Sequence, residues 1–178
     1  MRKKTQNHRF HPGDTGLTFV PASGTVRKSD PLVAALGDLD ELNCLLGLLA
    51  LRLRGPRRAA LVSVQENLFL AGADVALAGR RGRPRLGRSA AAALDAAIRR
   101  LDSGLPPLRG FVVPGANEPE AWCQLSRTVA RRAERSAASL PGRGLNPEVP
   151  RYLNRLSSFL FSLSRSLAGR KSRSIRVR

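Results

Sequence analysis

Aromatic residues are scarce in this chain: Phe, Trp and Tyr together make up 4% of its 178 residues. A core so poor in rings must be filled by Leu, Val and Ala, which suits helices better than a β-sandwich. Lysine is scarce too. Lys3, Lys4, Lys28 and Lys171 are the only four among 31 basic residues, leaving 27 arginines. His8 and His11 are the 2 histidines, and Cys44 and Cys123 the 2 cysteines. Neither pair has metal-ligand spacing, so no protein metal site is expected. No Ser-His-Asp or Cys-His arrangement supplies a nucleophile, so any chemistry needs a substrate that is itself reactive. Both cysteines read as helical free thiols of a reducing compartment. No run reaches the ~18 apolar residues a membrane span needs. No apolar stretch follows the basic N-terminus, so the reading is a soluble, cytoplasmic protein without a signal peptide.

Hydrophobic residues make up 42% of the chain, enough for one domain with a real core. The formal net charge of +18 raises nucleic acid as a partner. Much of that charge lies in three runs, Arg2–Arg9, Arg80–Arg88 and Arg170–Arg178, and these lack the interleaved aromatics on which bases stack. No helix-turn-helix or RNA-binding motif accompanies them, which disfavours nucleic acid. The division is a basic N-terminal tail over 1–9, a helical domain over 10–169 and a basic C-terminal tail over 170–178. Both tails lie outside the apolar periodicity and are expected to be dispensable.

Residues 10–29 hold Pro12, Gly13, Gly16, Pro21 and Gly24 and read as a loop. Asp30-Pro31 is a helix start, with Asp as cap and Pro in the first turn. Leu32, Leu36, Leu39, Leu42, Leu46 and Leu49 then recur at helical spacing to about Arg54. Gly37, Asp40, Cys44 and Gly47 make a small second face bearing one acid. Gly55-Pro56 opens a second helix ending near Ala78, and Ser89 is expected to cap a third. Residues 103–117 read as another long loop, carrying Phe111. A fourth helix spans about Glu118–Leu140, and Asn146-Pro147 opens a fifth. No segment reads as a strand pair. The expected fold is all-α, an up-and-down bundle of five helices.

The fourth helix carries Arg127, Arg131, Arg132, Glu134 and Arg135. At ~100° per residue, Arg127, Arg131, Glu134 and Arg135 share a face, and Arg132 points elsewhere. Such a face can grip a polyphosphate, with Glu134 keeping the arginines in register. It can equally be a solvated face laced with pairs such as Arg131 with Glu134. Gly13-Asp14-Thr15-Gly16-Leu17-Thr18 can cradle phosphate on its backbone N–H groups, or be an ordinary turn. It has no Gly-Lys-Ser/Thr and no preceding strand, so it is neither a Walker loop nor a dinucleotide fingerprint. Asp40 is a candidate partner for an arginine of another helix or subunit, or an ordinary exposed acid. Asn154 and Arg155 interrupt an apolar helix, where they either reach a ligand or pair at the surface.

In order along the chain, these segments resemble one family, the PduO-type ATP:cob(I)alamin adenosyltransferases. Lys28 to Gly47 resembles its K-x-D-P-R-V-x-A-x-G-x-x-D-E-L-N stretch, and Val64-Gln65, Leu68-Phe69 and Gly72-Ala73 its second helix. Phe111-Val112-Val113-Pro114-Gly115 is similar to F-x-L-P-G-G. Ser126 to Arg135 is similar to A-R-x-x-x-R-R-A-E-R, and Tyr152 to Phe161 to Y-L-N-R-L-S-D-x-L-F. The match runs over about 13–165. Departures are Phe10-His11-Pro12 for Thr-Arg/Lys-Thr, Leu32 for Arg, Gln124 for His, Ser126 for Ala, Ala116 for Gly and Ser158 for Asp.

The resemblance implies transfer of the 5′-deoxyadenosyl group of ATP to the cobalt of cob(I)alamin or a precursor corrinoid. Cobalt(I), the nucleophile, attacks the ribose 5′ carbon and triphosphate leaves. It implies a homotrimer with active sites between subunits, and ATP with Mg²⁺. By motif, Gly13, Thr18, Lys28, Arg131, Arg132, Glu134, Arg135 and Asn154 match the ATP-binding positions. Asp40 and Arg127 match a salt-bridged pair across the subunit interface, beside cobalamin. Phe111 matches the aromatic that displaces the lower cobalt ligand, and with Arg131 forms the catalytic pair. A cob(II)alamin reductase or a B12-dependent acceptor enzyme is an implied partner. The altered N-terminal loop leaves a non-catalytic cobalamin- or nucleotide-binding relative as the alternative. Sedimentation at micromolar concentration is expected to show a trimer; a monomer alone would exclude it.

Overall fold

The computed structural model describes residues 13–79, 83–140, 144–169 and 173–175. The expected tail over 1–9 and Phe10-His11-Pro12 lie outside these residues, as do Arg80, Arg81 and most of 170–178. Five helices carry the fold: α1 Pro31–Leu51, α2 Gly55–Ala76, α3 Arg88–Asp102, α4 Glu118–Ala138 and α5 Glu148–Ala168. Successive helices run up and down. α4 packs between α1 and α5, α2 against α1, and α3 against α5. The expected five-helix bundle is therefore observed.

Helix starts follow local chemistry. Asp30 Oδ1 accepts from Leu32 N at 2.8 Å ahead of Pro31. Asn117 Oδ1 accepts from Glu120 N at 3.0 Å and caps α4. Asn146 Oδ1 accepts from Glu148 N at 3.1 Å at the start of α5. The third start differs from expectation. α3 begins at Arg88 after Gly87, and Ser89 lies inside the first turn without capping it.

Two antiparallel strand pairs replace expected loops. β1 (Leu17–Val20) and β2 (Gly24–Arg27) form a hairpin with Thr18 opposite Val26. Gly24, at φ +71°, takes the left-handed conformation that the turn requires. Val20 is buried in the core while Phe19 is exposed, so four-residue alternation gives the hairpin one inner face. Ala22 N bonds Ala76 O at 3.1 Å, tying the hairpin to the end of α2. β3 (Phe111–Val113) pairs with β4 (Arg173–Ile175), Phe111 opposite Ile175. Phe111 thus stands on a strand, and the supposed C-terminal tail supplies its partner. Both pairs are too short and too rich in neighbouring Gly, Pro and Arg to show a period-two signal.

The core is aliphatic: Leu32, Leu42, Leu46, Leu61, Leu153, Leu156 and Leu160 are all fully buried. One polar knot lies within it. The Asp74 carboxylate accepts from Arg85 N at 2.9 Å, Leu86 N at 2.9 Å and Asn146 Nδ2 at 2.7 Å. It joins the end of α2, the segment before α3 and the start of α5. Asp74→Ala leaves these donors facing an apolar methyl. An expected loss of about 3 kcal/mol should appear as a lower urea midpoint, at the upper end of what unpaired buried donors cost. An unchanged midpoint would mean that water replaces the carboxylate at no cost.

Candidate active site

The basic face of α4 divides by orientation. Arg127 and Arg131, one turn apart, line a cleft of about 420 Å³ against α3 and α5, with Ser157, Ser158 and Phe161 on the far wall. Arg127 Nε donates to Gln124 Oε1 at 2.8 Å, and Gln124 Nε2 is in turn bonded to Ser164 Oγ at 3.1 Å. Burial first, then the neighbouring Arg131 charge, push the Arg127 guanidinium below its ordinary value. It remains a cation at neutral pH, and the mutual repulsion favours any anion that enters. Among the described residues Asp102 is the one acid lining this cleft, and it forms no ion pair with either arginine.

Arg132 turns the other way, as its position on the helix requires. It pairs with Asp38 of α1 at 2.9 Å and with Glu41 of α1, and Ser136 Oγ also donates to Asp38. This makes Arg132 a strut between α1 and α4. Arg135 donates to the backbone oxygen of Arg131 at 3.1 Å. Among the described residues no ion pair joins Glu134 to Arg131, so the expected register-keeping pair is not formed. Asn154 is exposed, one turn before Ser157 and Ser158, which both donate to its backbone oxygen. Arg155 pairs with Asp95 of α3 at 3.0 Å and is committed to packing.

Gly13, Thr18 and Lys28 come together at the hairpin. Lys28 N bonds Gly16 O at 2.8 Å, and a Cβ on Gly13 would meet Lys28 Nζ at 2.9 Å. Glycine therefore leaves the room that the ammonium occupies. Among the described residues no hydrogen bond or ion pair joins the hairpin to α4. Asp40 is exposed on α1, and among the described residues no ion pair or hydrogen bond joins it to Arg127. Gly37, Asp40 and Cys44 of its small face are open as well.

Phe111 lies at the end of the bundle where α4 begins. Its ring is 68% exposed, and Ile175 opposite is 53% exposed. The corner after β3 is held from beneath: Glu120 Oε2 accepts from Gly115 N at 2.8 Å and Ala116 N at 3.0 Å. Glu120 is fully buried and lies near Cys123, whose thiol is pushed up by burial first and by that carboxylate second.

Over residues 9–167 the sequence matches the cobalamin adenosyltransferase family. The chain belongs to this family. It is 39% identical over 158 residues to a cobalamin adenosyltransferase of Cupriavidus metallidurans, covering 87% of this chain and 84% of that one. It is 36% identical over 159 residues to the corrinoid adenosyltransferase PduO of Citrobacter freundii, covering 86% of this chain and 48% of that longer protein. A variant PduO-type ATP:corrinoid adenosyltransferase of Lactobacillus reuteri, solved with cobalamin and ATP, superimposes with a TM-score of 0.84 at 27% identity, covering 94% of this chain and 97% of that one.

Within this adenosyltransferase fold, three features escaped the sequence reading. Ile175 sits among basic residues, its alternation with Val177 is too short to stand out, and the strand register is what brings it opposite Phe111. Gln124 orients Arg127 through a chain ending on Ser164, and Glu120 anchors the Phe111 corner. Both acts depend on tertiary packing. A chain ending at Gly169 loses the β4 partner of Phe111. Its turnover is expected to fall roughly fivefold or more, as for a positioning loss of ~1 kcal/mol, with an unchanged thermal midpoint. Full turnover by the shortened chain would show that β4 does not position Phe111.

Proposed function

We propose that this chain transfers the 5′-deoxyadenosyl group of ATP to the cobalt of a reduced corrinoid. The observation that carries the reading is the cleft in which Arg127 and Arg131 lie side by side without a carboxylate partner, in a chain of this family. The reaction breaks the bond between the ribose 5′ carbon and its oxygen while cobalt(I) bonds that carbon. Its leaving group is triphosphate, whose charge grows on the departing oxygens. Preorganised guanidiniums stabilise growing charge with no reorganisation at the moment of reaction. Arg131 and Arg135 face the phosphates in this scheme, and Gly13, Thr18 and Lys28 hold them from the hairpin. Glu134 and Asn154 orient the nucleotide. Arg132 contributes by fixing the pitch of α4 through Asp38 and Glu41.

The hairpin and the α4 cleft are separate within one chain, which supports a site completed between subunits of a homotrimer. The open Gly37–Asp40–Cys44 face supports the same assembly, with Asp40 pairing Arg127 of a neighbouring copy. Among the described residues no cluster of three His, Cys, Asp or Glu side chains can cage a metal. Mg²⁺ carried on the triphosphate oxygens fits this composition, with Glu134 the carboxylate that would assist. Mg²⁺ would supply charge neutralisation there. Phe111 stands against the lower face of the corrin, excluding water and the axial base, with Ile175 beside it. No helix of the described residues is long and apolar enough to cross a membrane. The free thiols suit the cytoplasm.

The direct test is turnover of ATP with chemically reduced cob(I)alamin, followed by absorbance. Arg131→Ala is expected to lose roughly ten- to a hundred-fold in ATP-dependent activity while keeping its fold, the worth of a charge-assisted bond to phosphate. Full activity would remove Arg131 from the phosphate site. Phe111→Ala is expected to spare ATP binding, slow adenosylation and diminish the four-coordinate cobalt(II) signal in electron paramagnetic resonance. Its ring is exposed, so thermal stability should hardly change. A large drop in melting temperature would instead identify Phe111 as a packing residue.

A further inference from the structure

On the far side of α3 from the arginine cleft lies a second one, and the two share no lining residue. Helical alternation separates them. Ile98 and Asp102 of α3 with Ser158 and Ser162 of α5 face the first; Ala97 and Leu101 with Phe159 and Leu163 face the second. The second cleft has two continuous parts joined at Arg57, Arg100 and Leu101. The outer part, about 590 Å³, is bordered by Arg57, Arg100 and Arg165. The inner part, about 240 Å³, is an apolar slot floored by Ala60, Ala97, Phe159 and Leu163.

The three guanidiniums are held without a counter-charge. Arg57 donates to Ser166 Oγ at 2.8 Å and Arg165 to the backbone oxygen of Pro106, both neutral acceptors. Arg100 forms no ion pair, and no carboxylate lines either part among the described residues. Five other arginines, Arg52, Arg88, Arg132, Arg151 and Arg155, do each meet an acid. The start of α2 adds uncapped N–H groups at the same spot, since Arg54 provides no side-chain cap.

We propose that this cleft is a second anion site, which takes a small phosphate monoester with an apolar tail. A monoester phosphate is a dianion with three terminal oxygens, matched to guanidinium forks that each offer parallel N–H donors. The slot behind receives the tail, and its apolar walls, Ala60, Ala97, Phe159 and Leu163, separate this ligand from free phosphate. The site is independent of the adenosyl transfer, so its occupant regulates or docks beside the reaction without entering it.

The test is calorimetric titration of the full chain with hexyl phosphate, with methyl phosphate as the headgroup-only control. Hexyl phosphate is expected to bind one equivalent per chain, at least tenfold tighter than methyl phosphate, since each buried methylene is worth roughly fourfold. The Arg57→Ala/Arg100→Ala variant should weaken hexyl phosphate at least tenfold and leave adenosyltransferase turnover unchanged. Ala97→Phe fills the slot and should erase the advantage of hexyl over methyl phosphate while methyl phosphate still binds. Equal binding of the two esters, binding undiminished in the double variant, or displacement of hexyl phosphate by ATP would each overturn the proposal. So would binding to vesicles of anionic phospholipid with none to the soluble ester, which would make the face a membrane contact. Because turnover is read separately, failure here leaves the adenosyltransferase reading intact.

Discussion

Burial of α5 is the constraint on which the other elements depend. Val149, Tyr152, Leu153, Leu156, Phe159, Leu160 and Leu163 form one broad buried face, and buried Ser157, Ser162 and Ser164 widen it on both flanks, so α5 needs more than one neighbour. α4 and α3 supply most of the cover, and α1 is then carried on the outer side of α4. Close approach of α4 is made feasible by serine. Ser157 and Ser164 return their hydroxyls to carbonyls of their own helix, so small polar residues can be buried unpunished. Cys123 of α4 reaches Leu160 O at 3.2 Å and Gln124 reaches Ser164 across this seam. The same seam sets Arg127 and Arg131 over the serine edge of α5. The site is therefore an outcome of how the core helix is covered.

The arginines fall into groups by what they meet. Arg132 and Arg155 are tied to acids on neighbouring helices and hold the bundle together. Exposed ion pairs of this kind contribute little each, but Arg132 engages two acids at once and so fixes the relation of α1 to α4. Within one chain Arg127 and Arg131 form no ion pair in their cleft; in the proposed trimer Asp40 of a neighbouring copy meets Arg127, and the charge of Arg131 stays available to the phosphates. A net charge of +18 counted along the chain hides this division.

Much of the fold was legible because leucine periodicity, Asp30-Pro31 and Asn146-Pro147 are local signals, and local signals survive folding. The Arg127–Arg135 face was legible for the same reason, since helix geometry alone sorts Arg132 from its neighbours. The strand pairs were not. Leu17–Val20 alternates over only four residues beside Gly16 and Pro21, and β4 is a basic tripeptide whose partner lies two helices upstream. The capping of α3 went to Gly87 in place of Ser89 because Asp74 fixes the backbone just ahead of it, at Arg85 and Leu86. Likewise the fate of Glu134 depends on which groups approach α4, and sequence spacing records only that a pair with Arg131 is geometrically allowed.

The pairing of Phe111 with Ile175 carries a consequence for biosynthesis. Chains leave the ribosome from the N-terminus, and helical segments with local contacts form as they emerge. The hairpin, α1 and α2 can meet one another early in that order, while α1 still waits for α4. β3 emerges with nothing to pair with, and its partner β4 follows only after α4 and α5 have been made. All five helices therefore precede the strand that braces Phe111. Growing chains pass through a stage in which the helices exist and Phe111 has no partner strand, and the site is complete only once β4 has joined.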